Sequence, residues 1–217
     1  MQAESLKHIA IAGNIGAGKT TLCIKLAEHF GWICHLESVD KNPYLEDFYH
    51  DMKKWAFPLQ IFFLHSRFNQ IRKIWEGKQT VVQDRTIFED AYVFAKNLRN
   101  SFYMDERDYE NYLNVFHSMM PLVKEPDLII YLRADIPKLV EQIRRRGRPY
   151  ENNISIQYLE NLNQLYEDWV DSYTGELLIL DMNSLDYVYR SEDYSYVIQE
   201  VERALGVGVR GVGGYEV

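Results

Sequence analysis

Residues 13–20 read GNIGAGKT and follow a short apolar run at residues 9–12. The octapeptide matches the pattern G-x-x-x-x-G-K-[ST], whose glycines let the backbone turn tightly and point its N–H groups at phosphate oxygens. A strand must precede such a loop and a helix must follow it. Here the preceding residues form an apolar run typical of a strand, and the following residues show a helical pattern. Lys19 would reach the β- and γ-phosphates, and the Thr20 hydroxyl would bind Mg²⁺. The stretch predicts a nucleoside triphosphate site, with ATPase, GTPase and kinase activities open and a structural turn as the alternative.

On either side of this loop, apolar runs alternate with amphipathic stretches. The runs predict strands at residues 7–12, 33–37, 80–83, 127–132 and 176–180. Helical patterns cover residues 19–30, 59–76, 87–98, 106–120, 137–146, 154–173 and 193–205. Strands that are apolar throughout are covered on both faces, and strand–helix alternation is typical of parallel sheets. We predict an α/β fold: a P-loop NTPase-like, doubly wound sheet of five parallel strands with helices on both faces and an arginine-rich lid. We expect one domain over residues 1–205 and a mobile glycine-rich tail over 206–217.

The composition excludes several classes of protein. The net charge of −8 argues against a general binder of nucleic acids or anionic membranes, so any bound anion needs a local positive cluster. No run approaches the roughly 20 apolar residues of a membrane span, and residues 1–7 do not lead into the apolar stretch of a signal peptide. The two cysteines, Cys23 and Cys34, show no metal-site spacing and no disulfide framework. We expect them to fill the core of a cytoplasmic protein.

An arginine-rich segment at residues 144–148 interrupts this acidic chain. A run of charge is usually a solvated face, but this one follows the fourth predicted strand, on the side where such sheets bind ligands. Arginines that fold over a triphosphate stabilise the transferred phosphoryl group and exclude water, which matters when the acceptor is a substrate hydroxyl. The segment favours a small-molecule kinase over a GTPase, and no N-K-x-D guanine-binding motif follows a strand.

Carboxylates stand at the ends of two other predicted strands. Glu37 ends the second strand, and Asp84 follows the third and precedes Arg85. A carboxylate at this edge of a parallel sheet can accept a proton from an attacking hydroxyl or help to hold magnesium. An Asp-Arg pair can equally be a structural salt bridge, so position alone leaves both interpretations open.

Several segments between residues 9 and 186 resemble the deoxyribonucleoside kinase family, which phosphorylates the 5′-hydroxyl of deoxyribonucleosides with ATP and Mg²⁺. The loop GNIGAGKT differs from the family's usual loop in having Ala17 for serine. LESVDKNPYL (36–45) resembles the second-strand segment that carries the general base, and this role falls on Glu37. YHDMKKWAFPLQ (49–60) resembles a segment that binds the sugar 3′-hydroxyl and the base, which implies these roles for Tyr49 and Gln60.

Three later segments extend the resemblance. QDRTIFEDAYVF (83–94) implies that Asp84 helps to place magnesium and that Arg85 holds the 5′-oxygen. IRRRGRPYE (143–151) resembles the lid, in which Glu151 falls on the glutamate that reaches the 3′-hydroxyl. The phosphate-contacting arginines of the lid fall on Arg144, Arg146 and Arg148. LILDMNSLD (178–186) resembles the segment beside the adenine of ATP.

Arg67 and Asp90 bear on the choice of base. Arg67 lies seven residues after Gln60, about two helical turns, so both side chains can share a face. In the family branches that accept purines or deoxycytidine, an arginine and an aspartate at these positions form a pair beside the base. The resemblance therefore implies deoxyadenosine or deoxyguanosine as substrate, with deoxycytidine preference or broad specificity as the alternative. A surface salt bridge is the structural alternative for this pair.

Aromatic residues are candidates to stack on the base. These are Trp55, Phe57, Phe88 and Phe94, of which Phe94 matches a family stacking position and the others could equally be core. The resemblance assigns catalysis to Lys19, Glu37 and Arg85. It assigns ATP contacts to Gly13, Asn14, Ile15, Gly16, Ala17, Gly18, Lys19, Thr20, Thr21 and the three lid arginines. It assigns nucleoside contacts to Glu37, Tyr49, Gln60, Arg67, Arg85, Asp90, Phe94 and Glu151, and metal contacts to Thr20 and Asp84.

Two rival functions remain. A nucleoside monophosphate kinase would need further arginines aimed at the acceptor phosphate. A nucleotide-gated regulatory module would bind ATP without an acceptor, and Glu37, Tyr49 and Gln60 would then share no purpose. Family members often dimerise through helices such as those predicted at residues 59–76 and 106–120, so the resemblance also implies a homodimer.

Overall fold

A computed structural model of the chain describes residues 7–37 and 42–206. Its sheet has five parallel strands in the order β2–β3–β1–β4–β5. The strands are β1 (His8–Gly13), β2 (Ile33–His35), β3 (Val81–Asp84), β4 (Leu128–Arg133) and β5 (Leu177–Asp181). Each begins within one residue of its predicted start, and β2 ends two residues earlier than predicted. The predicted five-stranded parallel sheet is therefore confirmed.

Helices connect the strands. The longer ones are α1 (Lys19–Phe30), α3 (Met52–Glu76), α6 (Glu106–Met119), α7 (Ile136–Arg146), α8 (Ile156–Ser172) and α9 (Ser191–Ala204). The shorter ones are α2 (Leu45–His50), α4 (Ile87–Glu89) and α5 (Lys96–Asn100). A π-helical segment, Asp90–Ala95, joins α4 to α5, and a 3₁₀ segment, Pro149–Asn153, follows α7.

Two helical features differ from the sequence prediction. Helix α2 was not predicted, and α3 begins at Met52 instead of residue 59. The side chain of Asp51 accepts a hydrogen bond from the Lys54 N–H (3.1 Å), which supplies the cap for this earlier start. Pro58 lies inside α3, where the tertiary packing of Ala56 and Leu59 outweighs the missing N–H.

The central strand β1 shows why both faces of the sheet are covered. Ile9 and Ile11 point to one face, where they pack in a core with residues of α1 and α9. Ala10 and Ala12 point to the other face, where they pack with residues of α3 and α8. All four side chains are fully buried, so the strand has no solvent face.

The glycine loop lies directly after β1 and requires its glycines. Gly16 has φ +86°, and a Cβ there would lie 2.8 Å from the Leu139 carbonyl oxygen of α7. Gly18 has φ +100°, and a Cβ there would lie 2.6 Å from the Tyr187 hydroxyl. The loop therefore fits between α7 and Tyr187 only because these positions carry no side chain. All five strands run in one direction, so the loop shares its edge of the sheet with the residues that follow β2 and β3.

Two parts of the sequence prediction lie outside the described residues. Residues 38–41 belong to the segment LESVDKNPYL, and residues 207–217 make up all of the predicted tail except Gly206. In the parts that are described, no helix combines the length and the apolar character that crossing a bilayer requires.

Candidate active site

A cavity of about 440 Å³ opens at the carboxyl edge of the sheet. It is lined by groups that the sequence analysis assigned separately to phosphate, metal, nucleoside and lid functions. The predicted residues on its wall are Ile15, Gly16, Gly18, Lys19, Thr20, Thr21, Glu37, Tyr49, Gln60, Asp84, Arg85, Asp90, Phe94, Arg146, Arg148 and Glu151. The fold therefore brings the glycine loop and the predicted acceptor site into one space.

Among the residues assigned to ATP, nucleoside or metal contacts, five do not line this cavity, namely Gly13, Asn14, Ala17, Arg67 and Arg144. Asn14 acts within the loop, since its side chain accepts from the Ile15 N–H (2.7 Å) and donates to the Leu159 carbonyl (3.0 Å). Ala17 lines a smaller neighbouring pocket. Gly13, Asn14 and Ala17 therefore belong to the glycine loop without lining the main cavity, whereas Arg67 and Arg144 lie on helices.

On α7, the arginine assignment differs from the family pattern. Gln142, Arg145 and Arg146 line the cavity, whereas Arg144 is not on its wall. Residues three and four positions apart share a helix face, and Arg144 falls outside that face. The structure therefore adds Arg145, and the phosphate role of Arg144 stays a prediction of the resemblance.

Glu37 lies two residues beyond β2 and is held by two arginines. Its Oε1 is 2.6 Å from Arg67 Nη2 and 3.3 Å from Arg85 Nε, and its side chain is 17% exposed. Burial acts to raise the pKa of Glu37, but the charges of Arg85 and Arg67 hold this pKa below its ordinary value. Glu37 is therefore an ionised carboxylate facing the cavity at neutral pH.

Arg67 is an internal residue, not part of a surface salt bridge. The side chains of Arg67 and Asp90 are 2% and 3% exposed, and Arg67 Nε lies 3.3 Å from Asp90 Oδ2. Arg67 Nη1 also donates to the Asp84 carbonyl oxygen (2.9 Å). Asp90 lines the cavity, but Arg67 does not. Arg67 instead contacts Glu37 and the end of β3, whereas the resemblance placed Arg67 beside the base.

Asp90 is a buried carboxyl group. Burial raises its pKa to about 7, although the neighbouring charges of Arg67 and Arg85 act to lower this pKa. It lies in the π-helical segment, four residues before Phe94, and both line the cavity. π-helical turns are rare and often occur at functional sites, which agrees with this placement.

Lys19 begins α1 and is almost completely buried. Its Nζ donates to the Asn14 carbonyl oxygen (2.9 Å) within the glycine loop. Burial, with the nearby charge of Arg85, lowers the pKa of Lys19 to about 7. A phosphate group bound in the loop would favour the charged ammonium.

Thr20 and Asp84 form an oxygen pair suited to magnesium. The Thr20 hydroxyl donates to Asp84 Oδ2 (2.5 Å), while Asp84 Oδ1 is buried with no hydrogen-bond partner among the described residues. Magnesium at phosphate-transfer sites takes one or two protein ligands, and substrate phosphates and water supply the others. Within residues 7–37 and 42–206, no group of three His, Cys, Asp or Glu side chains is placed to hold a metal ion.

The lid residues contact one another. Glu151 accepts from Arg146 at 3.1 and 2.6 Å and lies 3.5 Å from Arg148 Nη1. The ring of Tyr150 stacks on Tyr49, with centroids 5.5 Å apart. Through Tyr150 the lid therefore contacts Tyr49, the residue that the resemblance assigns to the sugar 3′-hydroxyl.

Of the aromatic residues proposed to stack on the base, only some line the cavity. Phe94 lines the cavity, and the guanidinium carbon of Arg85 lies 4.2 Å from its ring centroid. Trp55, Phe57 and Phe88 do not line it, while Phe63, which the sequence analysis did not consider, does. Apolar periodicity cannot distinguish an aromatic residue in the core from one on the wall of a cavity.

The sequence analysis did not identify Glu89 and Tyr166 as part of the site. Glu89 is fully buried and accepts from the N–H groups of Gly13 (3.2 Å) and Thr86 (2.7 Å). The Tyr166 hydroxyl lies 2.7 Å from the Gly13 carbonyl oxygen and 2.8 Å from Glu89, and it accepts from Arg85 Nη1 (3.1 Å). These two residues join the first glycine of the loop to Arg85. The T-x-x-E capping pattern at 86–89 was the available signal for Glu89, whereas Tyr166 had none.

A glycine loop on a helix N-terminus, a buried lysine and an arginine lid over a second binding space define a P-loop phosphotransferase. The family profile "Deoxynucleoside kinase" matches residues 9–205. The chain belongs to this family, and the resemblance described above is confirmed.

Relatives and solved structures agree with this assignment. The deoxyadenosine/deoxycytidine kinase of Bacillus subtilis (strain 168) is 39% identical over 189 residues, which cover 86% of this chain and 87% of the relative. The deoxyadenosine kinase of Dictyostelium discoideum is 41% identical over 191 residues, 87% of this chain and 77% of the relative. The deoxyadenosine kinase from M. mycoides with bound dATP superposes with a TM-score of 0.79 at 30% identity, covering 91% of this chain and 100% of that one.

Replacing Tyr166 with Phe tests the contact between the loop and Arg85. We expect loss of the hydroxyl to lower the free energy of unfolding by about 1–3 kcal/mol, because buried partners lose a hydrogen bond. We expect kinase turnover to fall at least about tenfold, because Arg85 is no longer held. Urea denaturation and steady-state kinetics measure both quantities.

Tyr131→Phe is the matched control. The rings of Tyr131 and Tyr166 stack with centroids 5.7 Å apart, but the Tyr131 hydroxyl donates to Glu167 (2.9 Å), which does not line the cavity. Tyr131→Phe should keep near-normal turnover. Equal turnover in the two variants would contradict the role given to Tyr166.

Asp90→Asn tests the protonation of the buried carboxyl group. Folding raises the pKa of Asp90 from 3.8 to about 7, so between these pH values the folded chain binds more protons than the unfolded chain. The stabilising contribution of the protonated carboxyl group is therefore lost as the pH rises from about 4 to about 7. The stability of Asp90→Asn relative to the unsubstituted chain should therefore increase from about pH 4 to pH 7, by at most about 1.4 kcal/mol per pH unit, and then level off. Urea denaturation across this range measures it, and parallel pH profiles would contradict the raised pKa.

Proposed function

We propose that this chain transfers the γ-phosphoryl group of ATP to the 5′-hydroxyl of a deoxyribonucleoside, giving the 5′-monophosphate for nucleotide salvage. One observation carries the proposal: the Glu37 carboxylate faces the same cavity as the glycine loop, between Arg67 and Arg85. An ionised carboxylate beside a triphosphate site can accept the proton of an attacking hydroxyl.

The proposed mechanism is an in-line displacement. Glu37 accepts the proton of the 5′-hydroxyl while Arg85 holds its oxygen. The backbone N–H groups of residues 13–21, together with Lys19, bind the phosphates. Arg146 and Arg148, with Arg145 as an addition from the structure and Arg144 from the resemblance, stabilise the charge of the transferred group and exclude water.

The proposal includes Mg²⁺, held through the Thr20 hydroxyl and Asp84. Bound magnesium would neutralise charge on the triphosphate and orient it. The buried Asp84 Oδ1, which has no partner in the described part of the chain, supports a cation at this point.

For the nucleoside, Tyr49 and Glu151 are proposed to bind the 3′-hydroxyl and Phe94 to stack on the base. Gln60 Oε1 is buried and has no hydrogen-bond partner among the described residues. This oxygen and Asp90 are two acceptors on the cavity wall, which suits a base with an exocyclic amino group. The proposed substrate is a purine deoxynucleoside, with Arg67 holding Asp90 in place. Deoxyadenosine and deoxyguanosine both carry such an amino group and are the proposed substrates, and deoxycytidine preference or broad specificity is the alternative.

The names of the relatives support this range of substrates. They include a deoxyadenosine/deoxycytidine kinase, deoxyadenosine kinases and deoxyguanosine kinases. We further propose a single kinase domain over residues 1–205, since the family profile matches nearly all of that range. We also propose a homodimer, which the resemblance implies, and a cytoplasmic location, which the lack of a disulfide framework in the sequence favours.

The family assignment decides against a regulatory module that only binds ATP. A nucleoside monophosphate kinase would need arginines at the acceptor side of the cavity. Arg145, Arg146 and Arg148 belong to α7 and the lid, and Arg85 is already ion-paired with Glu37. The arrangement therefore favours a neutral nucleoside as acceptor.

Glu37→Gln tests the proposed base. The amide keeps the shape of the side chain but cannot accept the proton, so turnover should fall by about two to four orders of magnitude while nucleoside binding persists. Steady-state kinetics and calorimetric titration measure the two effects. Glu167→Gln is the matched control, because Glu167 pairs with Arg133 (2.6 Å) and does not line the cavity. Near-normal turnover of Glu37→Gln would rule out the assignment.

A coupled assay over the four deoxynucleosides tests the proposed substrate. Deoxyadenosine or deoxyguanosine should have the highest kcat/KM, and thymidine the lowest, because the cavity wall presents acceptors to an amino group. Deoxyadenosine monophosphate serves as the contrasting acceptor. A higher rate with the monophosphate would favour the rival kinase, and a thymidine preference would overturn the proposed base selection.

A further inference from the structure

Cys23 and Cys34 lie in contact, although they are eleven residues apart in the sequence. Their Sγ atoms are 3.0 Å apart, and Cys23 Sγ also lies 3.4 Å from the Val82 carbonyl oxygen. Cys34 and Val82 are paired in the β2–β3 register, and α1 packs over this part of the sheet. The packing of α1 on β2 therefore brings the two thiols together.

We infer that Cys23 and Cys34 form an intramolecular disulfide when a hydroperoxide oxidises the folded chain, so that the pair is a reversible oxidation site. A disulfide needs the two sulfurs to approach by about 1 Å, which side-chain rotation supplies at this separation. The inference does not rest on the proposed kinase activity, since neither sulfur lines the main cavity.

The two thiols differ in exposure, which sets the order of the steps. Cys23 is fully buried, whereas Cys34 on the edge strand β2 is half-buried and can be reached by a small oxidant. The hydrogen bond from Cys23 lowers the pKa of the Cys34 thiol, while this bond and burial raise the pKa of Cys23. Cys34 is therefore the sulfur that carries thiolate character and reacts first.

The chemistry balances with one peroxide. The Cys34 thiolate attacks one peroxide oxygen, which forms an S–O bond, breaks the O–O bond and releases hydroxide, giving a sulfenic acid. The Cys23 sulfur then attacks Cys34, which forms the S–S bond and breaks the S–O bond, and its proton leaves with the hydroxide as water. Two thiols and one hydrogen peroxide give one disulfide and two waters, and an excess of a small dithiol restores both thiols.

Exposure of the full chain to about one equivalent of hydrogen peroxide tests the inference. Intact-mass spectrometry should show a loss of about 2 Da, and digestion without reductant should yield a Cys23–Cys34 cross-linked peptide that a dithiol separates. The same exposure in denaturing urea should give several-fold less cross-link in the same time, because the fold supplies the contact. A mass gain of oxygen with Cys23 still open to alkylation, or a cross-link between chains, would overturn the inference.

Cys23→Ser and Cys34→Ser are the matched variants. Cys23→Ser should accumulate oxygen on Cys34, because no second thiol resolves the sulfenic acid, whereas Cys34→Ser should stay unmodified at the buried Cys23. Oxidation of Cys23 in Cys34→Ser at the rate seen in the unsubstituted chain would contradict the order of steps. The mass of the unsubstituted chain decides the main point even where a variant folds poorly.

Discussion

The Glu37 carboxylate lies between the guanidinium groups of Arg67 and Arg85, and the remainder of the cavity depends on this pairing. A carboxylate taken out of water gains a raised pKa and loses its charge unless cations lie close to it. Two guanidinium groups brought together without a carboxylate repel each other; here Glu37 pairs with both of them, and Asp90 pairs with Arg67. Each charge therefore makes the burial of the others tolerable, which is why removing one partner of such a pair costs more than the pair contributes.

The same cluster reaches back into the glycine loop. Arg85 follows β3 with φ +70°, a backbone conformation that is costly for a residue with a side chain. The Tyr166 hydroxyl accepts a hydrogen bond from Arg85 and also lies 2.7 Å from the Gly13 carbonyl oxygen, while Glu89 accepts from the Gly13 N–H and lies 2.8 Å from the same hydroxyl. One buried network therefore sets the geometry of both the glycine loop and Arg85. A substitution that disturbs one of them also displaces the other.

The lid is held by weaker contacts. Arg146 and Arg148, whose side chains are 34% and 32% exposed, both pair with Glu151. The arginine side of these pairs is open to solvent although Glu151 itself is only 4% exposed, so phosphate or a sugar hydroxyl can take the place of one partner while Glu151 keeps another. A buried cluster of Glu37, Arg67 and Arg85 beneath a lid whose contacts can be exchanged suits a kinase, which must close over two substrates and then release two products.

Local pattern carried much of what could be predicted from the sequence. The glycine loop with its strand and helix, the five parallel strands and the arginine-rich segment all depend on residues close together in the chain. The chain alone therefore determined the fold class and most of the residues that meet in the cavity. It did not predict α2 or the start of α3 ahead of Pro58, because short-range propensity there is weak and packing decides.

Tertiary structure decided which side chains touch. Arg67 was expected beside a base, yet its shortest contact is with Glu37, thirty residues away in the sequence. Arg145 lines the cavity where the family pattern indicates Arg144, because the rotation of α7 about its axis depends on how it packs. Cys23 and Cys34 meet for the same reason. Sequence periodicity shows which face of an element is apolar, but contacts between distant residues depend on how those elements are placed in space.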